Sequence, residues 1–317
     1  MPVLNGEQFI EHITGYIRAQ TFGSYEALII VSSKSTDDTL TLATAAMDRD
    51  PCLRVIVYED TGALGGSKNM GIDSAIGKYL WFLDVDDVPS LRFLDEMVRI
   101  KEEHGADLVG CNFVYSDDRL PIPDYEGDFK VKVFDGPEAL RARATERFPV
   151  TSWSMLYDAE VIRRNGLRFP DGICEDIGFT YSVLGRSRTV CYYEKPLYKY
   201  VITPTSVTRS RMNRDMRGQA EIGRYDRLET MFEDQFLRRR FALLRVRSAG
   251  HMSVGGFLRY IRSDRCVDMV LCTPSFEGFL VLAMPLVYFV CIRLFFLSFY
   301  YRPGRAFTGG FFRRCRF

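Results

Sequence analysis

Histidine is scarce in this chain. His12, His104 and His251 are the only three in 317 residues, and no two stand at ligand spacing, so a histidine-centred reaction is a poor expectation. Paired cysteines are missing as well. The eight cysteines occur singly, with no CxxC or CxH, which argues against a zinc site. No leader pattern is read at the start, so a disulfide framework is not expected and the thiols fit a reducing cytosol. Net charge is nearly absent: 42 basic residues face 41 acidic ones, for a formal +1, and no long-range field points to nucleic acid. There is no internal repeat, and the glycines Gly62, Gly65 and Gly66 match no phosphate-loop spacing and read as a plain turn.

What the chain does have is a short apolar run that ends in carboxylates, Lys78-Tyr79-Leu80-Trp81-Phe82-Leu83-Asp84-Val85-Asp86-Asp87. Tyr79 to Leu83 reads as a strand covered on both faces, and Pro89 stops its pairing. Side chains two apart on a strand share a face, so Asp84 and Asp86 point together. Two carboxylates aimed at one place repel unless a positive charge sits between them, and a hard divalent cation held with a diphosphate would supply it. The ordinary alternative is an acidic turn capping the next helix, 91–103.

Around that run, apolar residues at helical spacing predict helices over 7–18, 38–48, 67–75, 91–103, 158–165 and 177–184. Buried strands are predicted at 26–31, 53–58, 107–115 and 189–193, with a polar excursion over 116–148 read as loop or hairpin. Strands alternating with helices argue for a mixed, mainly parallel α/β sheet with helices on both faces. Ligands of such sheets bind beyond the carboxyl ends of the strands, where the polar turns after Val31 and Leu83 both lie.

Five pieces in order resemble a family 2 glycosyltransferase of the GT-A fold, over roughly residues 2–210. Pro2-Val3-Leu4-Asn5 resembles the turn after the first strand; Glu26 to Val31 with Ser35-Thr36-Asp37 resembles the second strand and its loop. Lys68-Asn69-Met70-Gly71 resembles the basic helix that feeds the metal strand, Asp84-Val85-Asp86-Asp87 the DxD motif, and Glu175-Asp176 the acidic pair holding the catalytic base. The resemblance implies a nucleotide-sugar donor, Mg or Mn as cofactor, and an inverting single displacement. It places Asp84, Lys68, Ser33 and Arg209 around the donor, Asp86 with Asp87 on the metal, and Asp176 as the base that takes the acceptor's proton. Carboxylates also suit a helix N-terminus, so Glu175-Asp176 can serve both ends, and each loop arginine, Arg209 or Arg211, can equally be a solvated surface charge.

Two departures stand out. Ser32 and Ser33 occupy positions where the family carries aspartates, one of which contacts the base, so base recognition is expected to be altered or lost. The family's first strand would precede Pro2, and a start codon placed too late is the expectation. Beyond 210 a helical extension, 211–317, includes an apolar segment, 269–301, followed by arginines 302, 305, 313, 314 and 316. An interfacial or re-entrant helix, or a tight hairpin over 269–301, held at the inner leaflet by the arginines is expected, which puts the protein at the cytoplasmic face of the membrane; a buried soluble helix is the other reading. Two functions stay open: a metal-dependent glycosyltransferase acting on a glycan or lipid-linked acceptor, or a non-catalytic relative that keeps the fold as a binding scaffold. The serines favour the second; the intact Asp84, Asp86 and Asp176 favour the first.

Overall fold

The computed structural model describes residues 1–60, 64–149, 151–202, 214–253, 256 and 260. The described residues divide into two compact units, one within Met1–Ile202 and the other within Thr203–Arg305. Arg209, Arg211, Gly62, the apolar segment 269–301 and the arginines that follow it lie outside the described residues.

In the first unit, strand β1 (Pro2–Val3) pairs in parallel with β2 (Ala27–Ser32), and β2 with β3 (Leu53–Tyr58). All six residues of β2 are buried, as an apolar run between two helical layers must be. Helix α1 (Glu7–Arg18) turns Ile10, Ile13 and Ile17 to the core, with Glu7 in its first turn and Arg18 in its last, each complementing the helix dipole. Helix α2 (Thr39–Asp48) follows β2, and α3 (Leu64–Ser74) follows β3.

The second sheet is mixed. Its order runs β4 (Tyr79–Trp81), β8 (Met155–Asp158), β6 (Leu108–Ser116), β9 (Thr189–Val201), β5 (Val88–Pro89), with β7 (Val131–Asp135) also on β9. β6 and β9 are parallel; the other pairs are antiparallel. β9 is one strand of 13 residues, Thr189–Val201, longer than the strand expected at 189–193. Pro196 does not interrupt it because it falls at the irregularity opposite Asn112, where the ladder register shifts. Helix α4 (Phe93–His104) buries Phe93, Met97 and Ile100 completely and ends at Gly105, whose φ of 57° makes the left-handed cap.

The excursion 116–148 is more ordered than predicted: it contains β7 and helix α5 (Gly136–Ala144), whose start is marked by Asp135 accepting from the Glu138 N–H at 2.8 Å and by Pro137. Helix α6 (Ala159–Arg164) is capped by Asp158, and α7 spans Glu175–Leu184. The two sheets share one core, in which Val3, Ile29 and Val31 from the first sheet meet Leu83, Val85, Phe93 and Tyr198.

The second unit contains α8 (Arg214–Met231) and α9 (Gln235–Gly250). Ile222, Ala249, Met252 and Tyr260 form its apolar cluster, and buried Arg245 bonds Asp226 at 2.7 Å and also Glu229. Among the described residues no helix is long and apolar enough to cross a membrane.

Candidate active site

Lys68 is the hub of the site. Leu64–Ser74 carries it inward until its side chain is only 7% exposed, and three acceptors meet the ammonium: Glu175 Oε1 at 2.9 Å, Asp176 Oδ1 at 2.9 Å and Ser152 Oγ at 3.2 Å. An ammonium has three protons, and here each has a partner. Burial works against its charge, but Asp176, Glu175 and Asp84 together hold its pKa well above the ordinary lysine value. Lys68, expected around the donor, is bonded here to Glu175, Asp176 and Ser152.

The acidic pair reaches Lys68 because of a strained turn. Cys174 takes a left-handed φ of 59° just before α7, a conformation uncommon for a residue with a side chain, and it throws Glu175 and Asp176 onto the first turn of the helix. Asp176 is held at both oxygens, by Lys68 and by the Ser152 N–H at 3.2 Å. Below, an aromatic floor ties α7 to the acidic strand end. Phe169 stacks on Phe179 with centroids 3.7 Å apart, and Phe82 meets both edge-on at 4.8 and 5.6 Å. Lys68 Nζ sits 5.0 Å from the centre of the Phe169 ring. Asn69 fixes that segment by exchanging two bonds with Phe169, and Gly65 allows the approach, since a Cβ there would lie 2.8 Å from the Pro170 carbonyl.

The strand end behaves as two kinds of carboxylate. Burial pushes Asp84 up to about 7; Lys68 pulls it back, while Asp86, Asp176 and Glu175 add to the rise. Asp86 is raised by burial, with its own backbone N–H and Arg119 opposing. Asp87 points the other way. It is 1% exposed, accepts from the Tyr198 hydroxyl at 2.9 Å and from the Val201 N–H at 2.8 Å, and is pushed well above the carboxylate range by burial and by Asp84 and Asp86. Expected on the metal with Asp86, it uses both oxygens here to anchor the end of β9. Among the described residues no group of three or more His, Cys, Asp or Glu is arranged to hold a metal. Asp84 and Asp86 nevertheless fit Mg or Mn, which take one or two protein carboxylates and complete their shell with phosphate oxygens and water; two crowded carboxylates with raised pKa values are the donor set such an ion relieves.

Ser33 lies at the carboxyl end of β2, exposed, with its hydroxyl accepting from the Asp60 N–H at 3.1 Å. Ser152, Tyr198 and Asp60 were not singled out by the sequence; they sit 84, 111 and 28 positions from the partners that give them meaning, and no local pattern marks them.

The mixed α/β architecture with its acidic strand end is the GT-A fold. Over 95% of the chain it is similar to TarS residues 1–349 of S. aureus, solved in complex with UDP-GlcNAc, covering 91% of that chain at a TM-score of 0.69 and 16% identity. It is also similar to the mannosyltransferase PcManGT of Pyrobaculum calidifontis, solved with GDP-Man and Mn2+, at a TM-score of 0.56 and 14% identity over 92% of this chain and 84% of that one. The model of Glycosyl transferase family 2 matches residues 1–164, and the chain belongs to that family. Among curated relatives, the uncharacterized glycosyltransferase EpsJ of Bacillus subtilis is 30% identical over 66% of this chain and 61% of its own length. The chain spans less than two thirds of the length of the first relatives it matches.

Proposed function

We propose that the chain is a glycosyltransferase that moves a sugar from a nucleoside-diphosphate sugar to a hydroxyl on a glycan or lipid-linked acceptor, inverting the anomeric centre. The observation that carries the reading is Lys68, which draws Asp176 and Asp84 into one electrostatic unit although they lie in separate parts of the chain. In this reading Asp176, aligned by Lys68 and the Ser152 N–H, takes the proton from the attacking hydroxyl. A single displacement needs no second carboxylate as nucleophile. Asp84 accepts from donor hydroxyls, and Asp86 with Asp84 holds Mg or Mn. Such an ion, when bound, supplies positive charge against the leaving diphosphate. Membership in the family and the likeness to structures solved with UDP-GlcNAc and with GDP-Man and Mn2+ support the donor class.

The work site is the cytoplasmic face of the membrane, a proposal that rests on the apolar run and arginines at 269–316. Fractionation with and without residues 269–317 tests it, and equal solubility of the two would remove it. The catalytic proposal is tested with a panel of nucleotide sugars, with and without Mn, reading release of the nucleoside diphosphate. Turnover should require the metal and fall by about a hundredfold or more in Asp176→Asn, the loss of a general base. A scaffold would give no metal-dependent signal with any donor.

A further inference from the structure

The carboxyl ends of β6 and β9 carry a row of aromatic side chains that the reaction just described does not use. The strands are parallel there, with Phe113 beside Tyr198 and Tyr115 beside Tyr200. Residues two apart share a face, so all four rings lie on one side of the sheet. Trp153 covers the inner end. Its ring stacks on Tyr198 with centroids 4.5 Å apart, lies 5.6 Å from Tyr200 and meets Phe113 edge-on at 4.7 Å. Tyr115 completes the row, edge-on to Phe113 at 5.4 Å and to Tyr200 at 5.6 Å. Exposure rises along it: Tyr198 and Trp153 are buried, Phe113 and Tyr200 half-buried, and Tyr115 is 52% exposed.

The inner end of the row is tied to the site from two sides. Trp153 directly follows Ser152, whose N–H bonds Asp176, and consecutive Cα atoms are about 3.8 Å apart. The Tyr198 hydroxyl and the Val201 N–H both bond Asp87, so Tyr200 lies between two residues fixed to the acidic turn. The rings thus begin one residue from the group that holds Asp176 and lead outward from it. Resting on the glycosyltransferase reading of that site, we propose that Tyr115 and Tyr200 seat the acceptor, and that the acceptor presents a pyranose ring to them. A pyranose has a face of C–H bonds and a rim of hydroxyls. The face of an aromatic ring is electron-rich, so it attracts the C–H face and leaves the hydroxyls to polar partners and water. Tyr115 and Tyr200 stand at 72° to each other, a corner in which one ring underlies the sugar and the other borders its edge. A lipid chain is suited to a slot of aliphatic side chains closed to water. This row is wholly aromatic, because Val114 and Lys199, between its members, point to the other face of the sheet. Cross-strand aromatic pairs stabilise sheets anywhere; this one stands at the strand ends where ligands of such sheets bind.

The full chain, with Mg and UDP or GDP, is titrated in saturation-transfer NMR with the methyl pyranosides of glucose, galactose, mannose, rhamnose and N-acetylglucosamine. The open-chain alditols glucitol and mannitol, and decyl phosphate, serve as the other probes. At least one pyranoside should bind, with its ring C–H protons receiving most of the saturation, and more tightly than the alditols. Tyr115→Ala should weaken that binding about three- to tenfold, the worth of one aromatic contact. Tyr115→Leu, which keeps apolar bulk on the strand, should weaken it in the same direction, with thermal unfolding showing that both variants are folded. Tyr115→Phe should keep the binding, because the ring and not the hydroxyl makes the contact. Absence of binding by every pyranoside, equal binding of the alditols, or binding indifferent to Tyr115→Ala and Tyr115→Leu would overturn the assignment. So would a loss in Tyr115→Phe as large as in Tyr115→Ala, or decyl phosphate binding that depends on Tyr115. Release of nucleoside diphosphate by the unaltered protein from the panel of nucleotide sugars is read alongside. Release without pyranoside binding overturns the seat alone, and no release from any donor overturns the glycosyltransferase reading as well.

Discussion

Replacing Lys68 by methionine removes one charge and keeps most of the aliphatic stem that lies on Phe169. Two contacts at 2.9 Å are lost, with side chains that are 7%, 15% and 22% exposed. At an effective dielectric of 20, each contact represents about 6 kcal/mol of Coulomb energy before desolvation is counted. Most of that offsets the cost of taking the three groups out of water, and measured losses on breaking such buried pairs are about 3–5 kcal/mol. Lys68→Met should therefore lose about 3–5 kcal/mol in urea unfolding followed by circular dichroism, because Glu175 and Asp176 are left facing Asp84 with no cation among them. The triple variant Lys68→Met, Glu175→Gln, Asp176→Asn should recover much of the loss, since neutral replacement of a whole buried cluster costs far less than removal of one partner. A single-variant loss below about 1 kcal/mol, the range of exposed pairs, would refute the idea that Lys68 organises the site. So would a triple variant no more stable than the single one.

Asp87→Ala should cost about 2–5 kcal/mol, because the buried Tyr198 hydroxyl and Val201 N–H both lose their acceptor. Asp87→Asn should cost much less and leave Mn affinity unchanged in calorimetry, whereas Asp86→Asn should weaken it. Gly136→Ala should destabilise by about 1–3 kcal/mol in thermal unfolding, since its Cβ would meet the Ser187 carbonyl. The segment 117–124 is strapped to β9 by Asp118 to Lys199 at 2.8 Å and Asp124 to Lys195 at 2.9 Å. The bond from Lys199 leads the effects that hold the Asp118 carboxyl down to about 2. A depressed carboxylate contributes above its unfolded value of about 3.9 and is lost as pH falls through the folded one. Hydrogen exchange in this segment should thus show no contribution from that pair to any change between neutral pH and about 5, and loosening only below about 4.

Much of the framework could be read from the chain alone, because its signals are local. The buried run of β2 and the helix 7–18 depend on periodicity, and the structure has them where they were expected; the strand expected to reach Leu83 ends at Trp81, and Asp84, Asp86 and Asp87 lie in the turn that follows it. Helix α5 was readable too: Asp135, Pro137 and Glu138 form a helix start, hidden only by the surrounding polar residues. What the tertiary structure decided is how the carboxylates divide their labour. Spacing along a strand cannot tell Asp86 from Asp87; the inward hydroxyl of Tyr198, more than a hundred residues away, does. Nor can it show that the protons of Lys68 go to Ser152, Glu175 and Asp176, or that a carboxylate from β3 stands beside the serines of β2. Those choices rest on which groups burial forces together, and burial is a property of the folded chain, not of any segment.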